Sequence, residues 1–331
     1  MLRFLLARLS GLILILLLVC VCTFAVFFVL SPDPAVQICG KNCTPELIDQ
    51  IRANLGLDEP LLSQFLSFVG GLFAGRTYGA GDAATHCAAP CLGYSFQSSQ
   101  PVWEMVTERL PVTVTVAIGA AVLWLLAGVV GGLISALKQG TWWDRGAMLV
   151  ALSGLSIPNY VFALVLQYVL VVQLEWLPFP QAVGFAADPW QWFANYLMPW
   201  TVLAFAYASV YARLTRANVI DTLAENYVRT ARAKGLPSHL VVRRHALRPA
   251  LTPITTIFGM DFAGLLGGAL ITESVFGLNG VGKLTADAIS SNDQPVIMGV
   301  TLLAAFFVVA GNVVVDLTYT ALDPRVRVKS V

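Results

Sequence analysis

The chain has 331 residues, of which 57% are hydrophobic and 12% charged, with a formal net charge of +1. Soluble domains carry roughly 25% charged residues, so this composition excludes an ordinary soluble domain. The near-zero net charge gives no basis for binding nucleic acid.

A bilayer-spanning helix needs about 20 mostly apolar residues. Six runs qualify: residues 9–30, 110–137, 147–172, 196–211, 251–271 and 296–318. The first follows Arg3 and Arg8, as a signal peptide would follow its basic start. Its apolar core is too long for one, and Ser31-Pro32-Asp33-Pro34 is not a small-residue cleavage site, so it reads as a retained span. Cys20 and Cys22 inside it read as apolar packing residues.

Residues 31–104 form a long segment between the first two runs. Thr44-Pro45-Glu46 supplies an N-cap, a proline at the first helical position and an acid in the first turn. Leu47, Ile48, Ile51 and Leu55 then share one helical face, and Gly56 is placed to end the helix. A second helix is expected over 61–73, apolar enough to lie in the membrane interface, followed by a Gly-rich insert over 75–93. The segment holds two Cys-x3-Cys pairs, Cys39 with Cys43 and Cys87 with Cys91. Outside the cell these are disulfide candidates, with the pairing open; a zinc site using His86 is the rival.

Lys138 to Gly146 reads as a short reversal. The fourth run is short and contains Pro199. After it, eight of the twenty Lys/Arg fall between Arg213 and Arg248. There Asp221 or Thr222 can cap a helix running to Lys234, and Gly235 stops it. Pro237-Ser238 opens a second helix carrying Leu240, Val241, Arg244 and Leu247. Two short basic helices suit a partner's groove; the plain alternative is a juxtamembrane loop that obeys the positive-inside rule.

In the fifth run, Asp261 is an acid near mid-span. Such a residue either lines a path or hydrogen-bonds a neighbouring helix. Beyond it, Gly277-x4-Gly282-Lys283 resembles a phosphate-binding loop, but Leu284 stands where that loop needs Ser or Thr. No nucleophile pair or metal-ligand motif accompanies it. With the N-terminus inside, 15 Lys/Arg fall on the cytoplasmic side and five outside, so both termini are expected inside.

Several segments together resemble one family. They are Leu55-Gly56-Leu57-Asp58-Glu59-Pro60, Arg109-Leu110-Pro111, Tyr227–Gly235 and the strip from Gly268 through Glu273, Phe276, Gly277, Gly280 and Gly282. In this order they resemble the first subunit of dipeptide/oligopeptide/nickel permeases in ATP-binding-cassette (ABC) importers. Tyr227–Gly235 is similar to their "EAA" loop. In the general pattern an acid stands where Arg229 is, and a proline thirteen rather than fourteen residues past the glycine, where Pro249 is. Residues 76–91 interrupt a stretch that is usually continuous in the family.

The resemblance implies an all-α integral membrane protein with six transmembrane helices and the type I importer permease fold. Its parts would be residues 1–30 (N-terminus and first span), 31–104 (an extracytoplasmic insertion), 105–320 (the permease domain, with coupling loop 213–249) and a cytoplasmic tail at 321–331. It implies a bacterial plasma-membrane location and no catalytic site or cofactor in this chain. ATP and Mg²⁺ would belong to two cytoplasmic ATPases, or one fused pair. A second permease and an extracytoplasmic peptide-binding protein or lipoprotein would complete the importer, with lipid around it. Tyr227, Arg229, Ala231, Arg232, Gly235, Leu240 and Arg244 would meet the ATPase. Asp261, Glu273 and Phe276 are candidates for the translocation path. Nickel and glutathione permeases share these motifs, and a stand-alone carrier is the rival outside the class.

Overall fold

Peptide groups removed from water must pair within their own segment, so apolar runs of this length fold as helices. The computed structural model describes residues 2–30, 35–36, 44–78, 84–181 and 184–322, and they are mostly helical. Helix α1 (Leu2–Phe24) is prolonged by a π-helical stretch, Ala25–Leu30. Helices α2 (Pro45–Leu55) and α3 (Leu61–Ala74) follow. Two antiparallel ribbons come next: β1 (Arg76–Tyr78) with β2 (Thr85–Cys87), and β3 (Tyr94–Ser95) with β4 (Gln100–Pro101). Then come α4 (Val102–Leu137), α5 (Trp142–Ser156), α6 (Asn159–Gln173) and α7 (Pro189–Ala224). The chain continues with α8 (Asn226–Ala233), α9 (Ser238–Ala250), α10 (Thr252–Leu266), α11 (Leu270–Val275), α12 (Val281–Ser291) and α13 (Gln294–Leu322).

Among the described residues, α1, α4 and α13 are long and apolar enough to cross a membrane alone, and five spans result if each of two bent helix pairs counts as one. The bends correct the simpler expectation. The run at 147–172 is not one straight helix: α5 and α6 meet at 103°. Ile157, which precedes Pro158, is extended (φ −86°, ψ 121°), as clash with the proline ring requires. The run at 251–271 is divided as well. Helix α9 enters α10 at 47°, and α10 ends at Gly267 before a separate α11.

Two helices also exceed their expected lengths. Helix α4 begins at Val102, eight residues early, because β4 leads directly into it; Pro111 sits within it. The short run at 196–211 is the middle of the 36-residue α7. Asp188 caps α7, accepting hydrogen bonds from the Trp190 and Gln191 amides. By contrast, the helix expected at 61–73 and the one opening at Pro45 stand where the sequence puts them, and Gly56 follows the latter with φ +67°.

The main core lies between α4 and α7. Val116, Ala120 and Trp124 of α4 pack with Met198, Val202 and Tyr211 of α7, and all are buried. Small residues let these helices approach closely. A Cβ on Gly128 would lie 2.6 Å from Tyr211 Cβ, and one on Gly132 2.5 Å from the Ala212 carbonyl oxygen. Helix α10 packs along α13, as does α1. Helix α3 joins α1 and α13 through Phe65 and Phe68, which pack with Phe24, Met298 and Leu302.

The described residues between α3 and α4 are structured. Tyr78, Tyr94 and Phe96 form an aromatic cluster beside a Cys87–Cys91 disulfide. Cys39 and Cys43 lie outside the described residues, and Cys20 and Cys22 are free thiols. His86 meets Thr77 across the β1–β2 ribbon, its Nδ1 3.2 Å from the hydroxyl. Among the described residues, no three His, Cys, Asp or Glu gather as a metal site would require. The cluster is tied to the turn before α13: Ser95 donates to the buried Asp293 carboxylate, and Gln97 donates to the Ser291 carbonyl at 2.8 Å. Burial pushes the Asp293 carboxyl above its ordinary range, opposed by the Ser95 bond and the Val296 amide.

Candidate functional site

The basic loop is a helical hairpin. Neither Asp221 nor Thr222 caps it. Helix α7 runs on through both, and Thr222 donates to the Asn218 carbonyl at 2.7 Å. The break comes at Glu225, which is extended (φ −64°, ψ 146°), and α8 starts after it. Gly235 turns the chain from α8 toward α9 with φ +76°, a left-handed conformation that favours glycine. Val228 and Ala231 of α8 pack against Val241 of α9 and Leu223 of α7. Asn218 of α7 donates to the Ala250 carbonyl at 3.2 Å, which ties the hairpin's two stems together.

This packing sorts the expected contact residues. Tyr227, Arg229, Arg232, Gly235, Leu240 and Arg244 are exposed. Ala231 is not; it is buried inside the hairpin, because α8 turns its small side chain toward α9. Partial desolvation, then the Glu225 charge, raise the Tyr227 hydroxyl above its ordinary pKa. The exposed surface is thus a cationic knob with an apolar rim of Tyr227, Leu236 and Leu240.

At the opposite end of the fold, Glu273 is wholly buried, 0% exposed. Its Oε1 accepts from the Thr113 hydroxyl at 2.9 Å and the Ala269 amide at 3.2 Å, and its Oε2 from the Lys283 amide at 3.1 Å. The Val281 amide donates in turn to Thr113 Oγ1 at 2.8 Å. One carboxylate therefore joins α4, α11 and the first turn of α12, where a negative charge is favoured. Phe276 is buried beside it, 2% exposed. The expectation that these two side chains face a path does not match their positions, because the turn between α11 and α12 folds them into the chain's own packing. Gly282, from the sequence that resembles a phosphate loop, abuts α11: a Cβ there would lie 2.6 Å from the Leu270 amide nitrogen.

Asp261 sits on α10 and is half-buried. Its Oδ2 accepts a 2.8 Å hydrogen bond from the Tyr211 hydroxyl of α7.

Asp144 is a junction that sequence reasoning missed. Arg216 of α7 grips its carboxylate twice, Nε to Oδ1 at 2.8 Å and a terminal nitrogen to Oδ2 at 2.9 Å. The Gly140 amide donates at 2.9 Å and the Ser135 hydroxyl also donates. The α4–α5 turn is thereby fastened to the helix that leads into the hairpin. The only local hint was an acid in a basic turn; its partner lies 72 residues away.

Comparison with known proteins fits this arrangement. The family described as binding-protein-dependent transport system inner membrane component matches residues 128–328, and its N-terminal companion matches residues 1–117. The chain is similar to a putative peptide transport system permease protein of Brucella abortus, 36% identical over 97% of this chain and 98% of that protein. It is also similar to the glutathione transport system permease protein GsiC of Escherichia coli, 37% identical over 99% of this chain and 100% of that protein. With matches of this extent, and helices apolar enough to cross a membrane, the chain belongs to the family of inner membrane components of binding-protein-dependent transport systems.

Proposed function

We propose that this chain is a permease subunit of an ATP-driven ABC importer for di- and oligopeptides. The observation that carries the reading is the exposed cationic hairpin of α8 and α9, which is rigidly packed from behind and turned by Gly235. A surface of that kind receives force from a soluble partner. The likeness to a peptide transport permease supports the substrate class.

In this reading the chain crosses a bacterial plasma membrane six times, with α7 as the fourth span and both termini in the cytoplasm. Residues 31–104 lie outside and 213–249 form the coupling loop. A second homologous permease completes the pore. Two ATPases, separate or fused, hold ATP and Mg²⁺, and an extracytoplasmic lipoprotein delivers the peptide. This chain has no cofactor or catalytic site of its own. Closure of the ATPases displaces the hairpin, and the attached helices rock between two openings.

The likeness to the glutathione permease favours one second reading, a glutathione importer. Uptake of labelled di-, tetra- and longer peptides, with glutathione in parallel, separates the two in cells lacking the gene and in complemented cells. Loss of peptide uptake on deletion, restored by the wild-type gene, is expected. Loss confined to glutathione would move the assignment, and no loss of either would refute the importer reading for these substrates.

The outer insert is proposed to support docking of the binding protein. Its aromatic cluster is anchored to the turn before α13, so it can hold that surface in place. Deleting residues 76–91 is expected to weaken binding-protein-stimulated uptake several-fold while the complex still assembles. Stimulated uptake at the wild-type rate would remove this role.

A further inference from the structure

The face of α10 that the rest of the chain leaves uncovered differs from that of α1. On α1 the exposed side chains include Ile13, Leu14, Ile15, Leu17, Leu18 and Val21, which hydrocarbon solvates well. On α10 the exposed positions along one face are Pro253, Met260 and Gly264, with Thr256, Ile257 and Asp261 half-buried, so a carboxylate interrupts an otherwise mixed face. A Cβ on Gly264 would meet nothing within 4 Å. A mid-span carboxylate left half-exposed by its own chain, one turn from a bare Gly264, belongs against a cavity or a partner rather than against lipid.

Behind Asp261 stands an aromatic wall. Tyr211, which donates to the carboxylate, packs on Trp124 with ring centroids 6.2 Å apart. Tyr207 stacks on the same indole at 4.7 Å, and Phe258, one turn before Asp261, lies 6.0 Å from it. A carboxylate held by a phenol attracts an organic ammonium; Trp124 and Tyr211 are wholly buried and fix its position, while Tyr207 and Phe258 are partly exposed. It offers too few oxygen ligands for a divalent metal ion.

We propose that Asp261, backed by Trp124, Tyr207, Tyr211 and Phe258, recognises the positively charged amino group of the substrate as it crosses the pore. This deepens the peptide-importer reading and rests on it. This face of α10 is then the wall along which the peptide moves, and Asp261 is a station part-way along it.

The test uses the complete transport complex in proteoliposomes, with a labelled dipeptide and external binding protein. Asp261→Asn keeps the side-chain volume and an oxygen for Tyr211 but removes the charge. It is expected to lower uptake by about tenfold, the effect of losing a hydrogen bond between charged groups. Asp261→Glu is expected to restore most of the uptake, and binding-protein-stimulated ATP hydrolysis should persist in both variants. A second readout needs no transport. With Cys20, Cys22, Cys39 and Cys43 replaced by Ala, Met260→Cys should react with a membrane-impermeant thiol reagent, and the dipeptide should protect it. Unchanged uptake in Asp261→Asn overturns the proposal, as does equal failure of the Asn and Glu variants or an unreactive Cys at 260. Absence of dipeptide uptake by the wild-type complex overturns the peptide reading, and this inference with it.

Discussion

Gly235→Asp is expected to abolish transport while the complex still assembles in the membrane. The glycine has φ +76°, and a residue with a Cβ in that conformation costs roughly 1–2 kcal/mol. No atom within 4 Å obstructs a side chain there, so the harm is not a clash inside this chain. It comes from a strained turn between α8 and α9 and from a new acid among Arg229, Arg232, Lys234 and Arg244. Asn and Asp both tolerate the left-handed region better than most residues, so Gly235→Asn, which brings no charge, should retain part of the activity and isolates the effect of the acid. The measurements are membrane abundance, uptake and stimulated ATP hydrolysis. Normal uptake by well-inserted Gly235→Asp would remove the coupling role from the hairpin. Ala231→Glu should also block transport, for a different reason: it drives a charge between α8 and α9, and the hairpin should become sensitive to protease.

Removing the Glu273 carboxylate is expected to have the largest effect on stability. Glu273→Ala strands the Thr113 hydroxyl and the Ala269 and Lys283 amides, and each unsatisfied buried group costs about 1–3 kcal/mol. Glu273→Gln is the sharper probe. It preserves volume, yet it turns an amide donor toward groups that are themselves donors. Gly280→Ala attacks the same network from outside, since its Cβ would lie 2.3 Å from Glu273 Oε2 and 2.7 Å from Thr113 Oγ1. All three variants should lower the melting temperature of the purified complex by many degrees, with Ala at 273 the most severe. A wild-type melting temperature for Glu273→Ala would show that the network carries no weight. Because Glu273 faces no open surface, any loss of transport should follow the loss of folded protein.

Much of the fold is legible locally. The apolar runs of α1 and α13 are continuous, and nothing but a helix satisfies their backbone in lipid. Helix α2 announces itself through Pro45, Glu46 and Gly56, each acting within one turn of its own position. The two halves of the basic hairpin are equally plain, because Gly235 and Pro237 punctuate them. The start of α8 is not. Thr222 and Asp221 are good capping residues, but tertiary packing of α7 on α4 carries the helix past them, and Glu225 marks the break instead.

The candidate site divides along the same line. Exposure on the hairpin follows from amphipathic spacing, with the exception of Ala231, whose small size suits contact with a partner and contact with α9 equally well. Glu273 reads as an outer acid in the sequence. Its three donors come from α4 and from both sides of the α11–α12 turn, and Thr113 is 160 residues away. Asp144 and Arg216 meet over 72 residues, and the one local hint, an acid in a basic turn, does not point to its partner.

By itself the sequence determined the membrane class, the helical runs, the basic hairpin and the family, because hydropathy, turn residues and charge act over a few residues at a time. Only the tertiary structure decided the 103° bend at Pro158, the burial of Glu273 and Phe276, the inward side of α8 and the aromatic wall behind Asp261. A proline in a membrane helix permits a kink without setting its angle. A buried charge is likewise given its role by partners that distant parts of the chain bring to it.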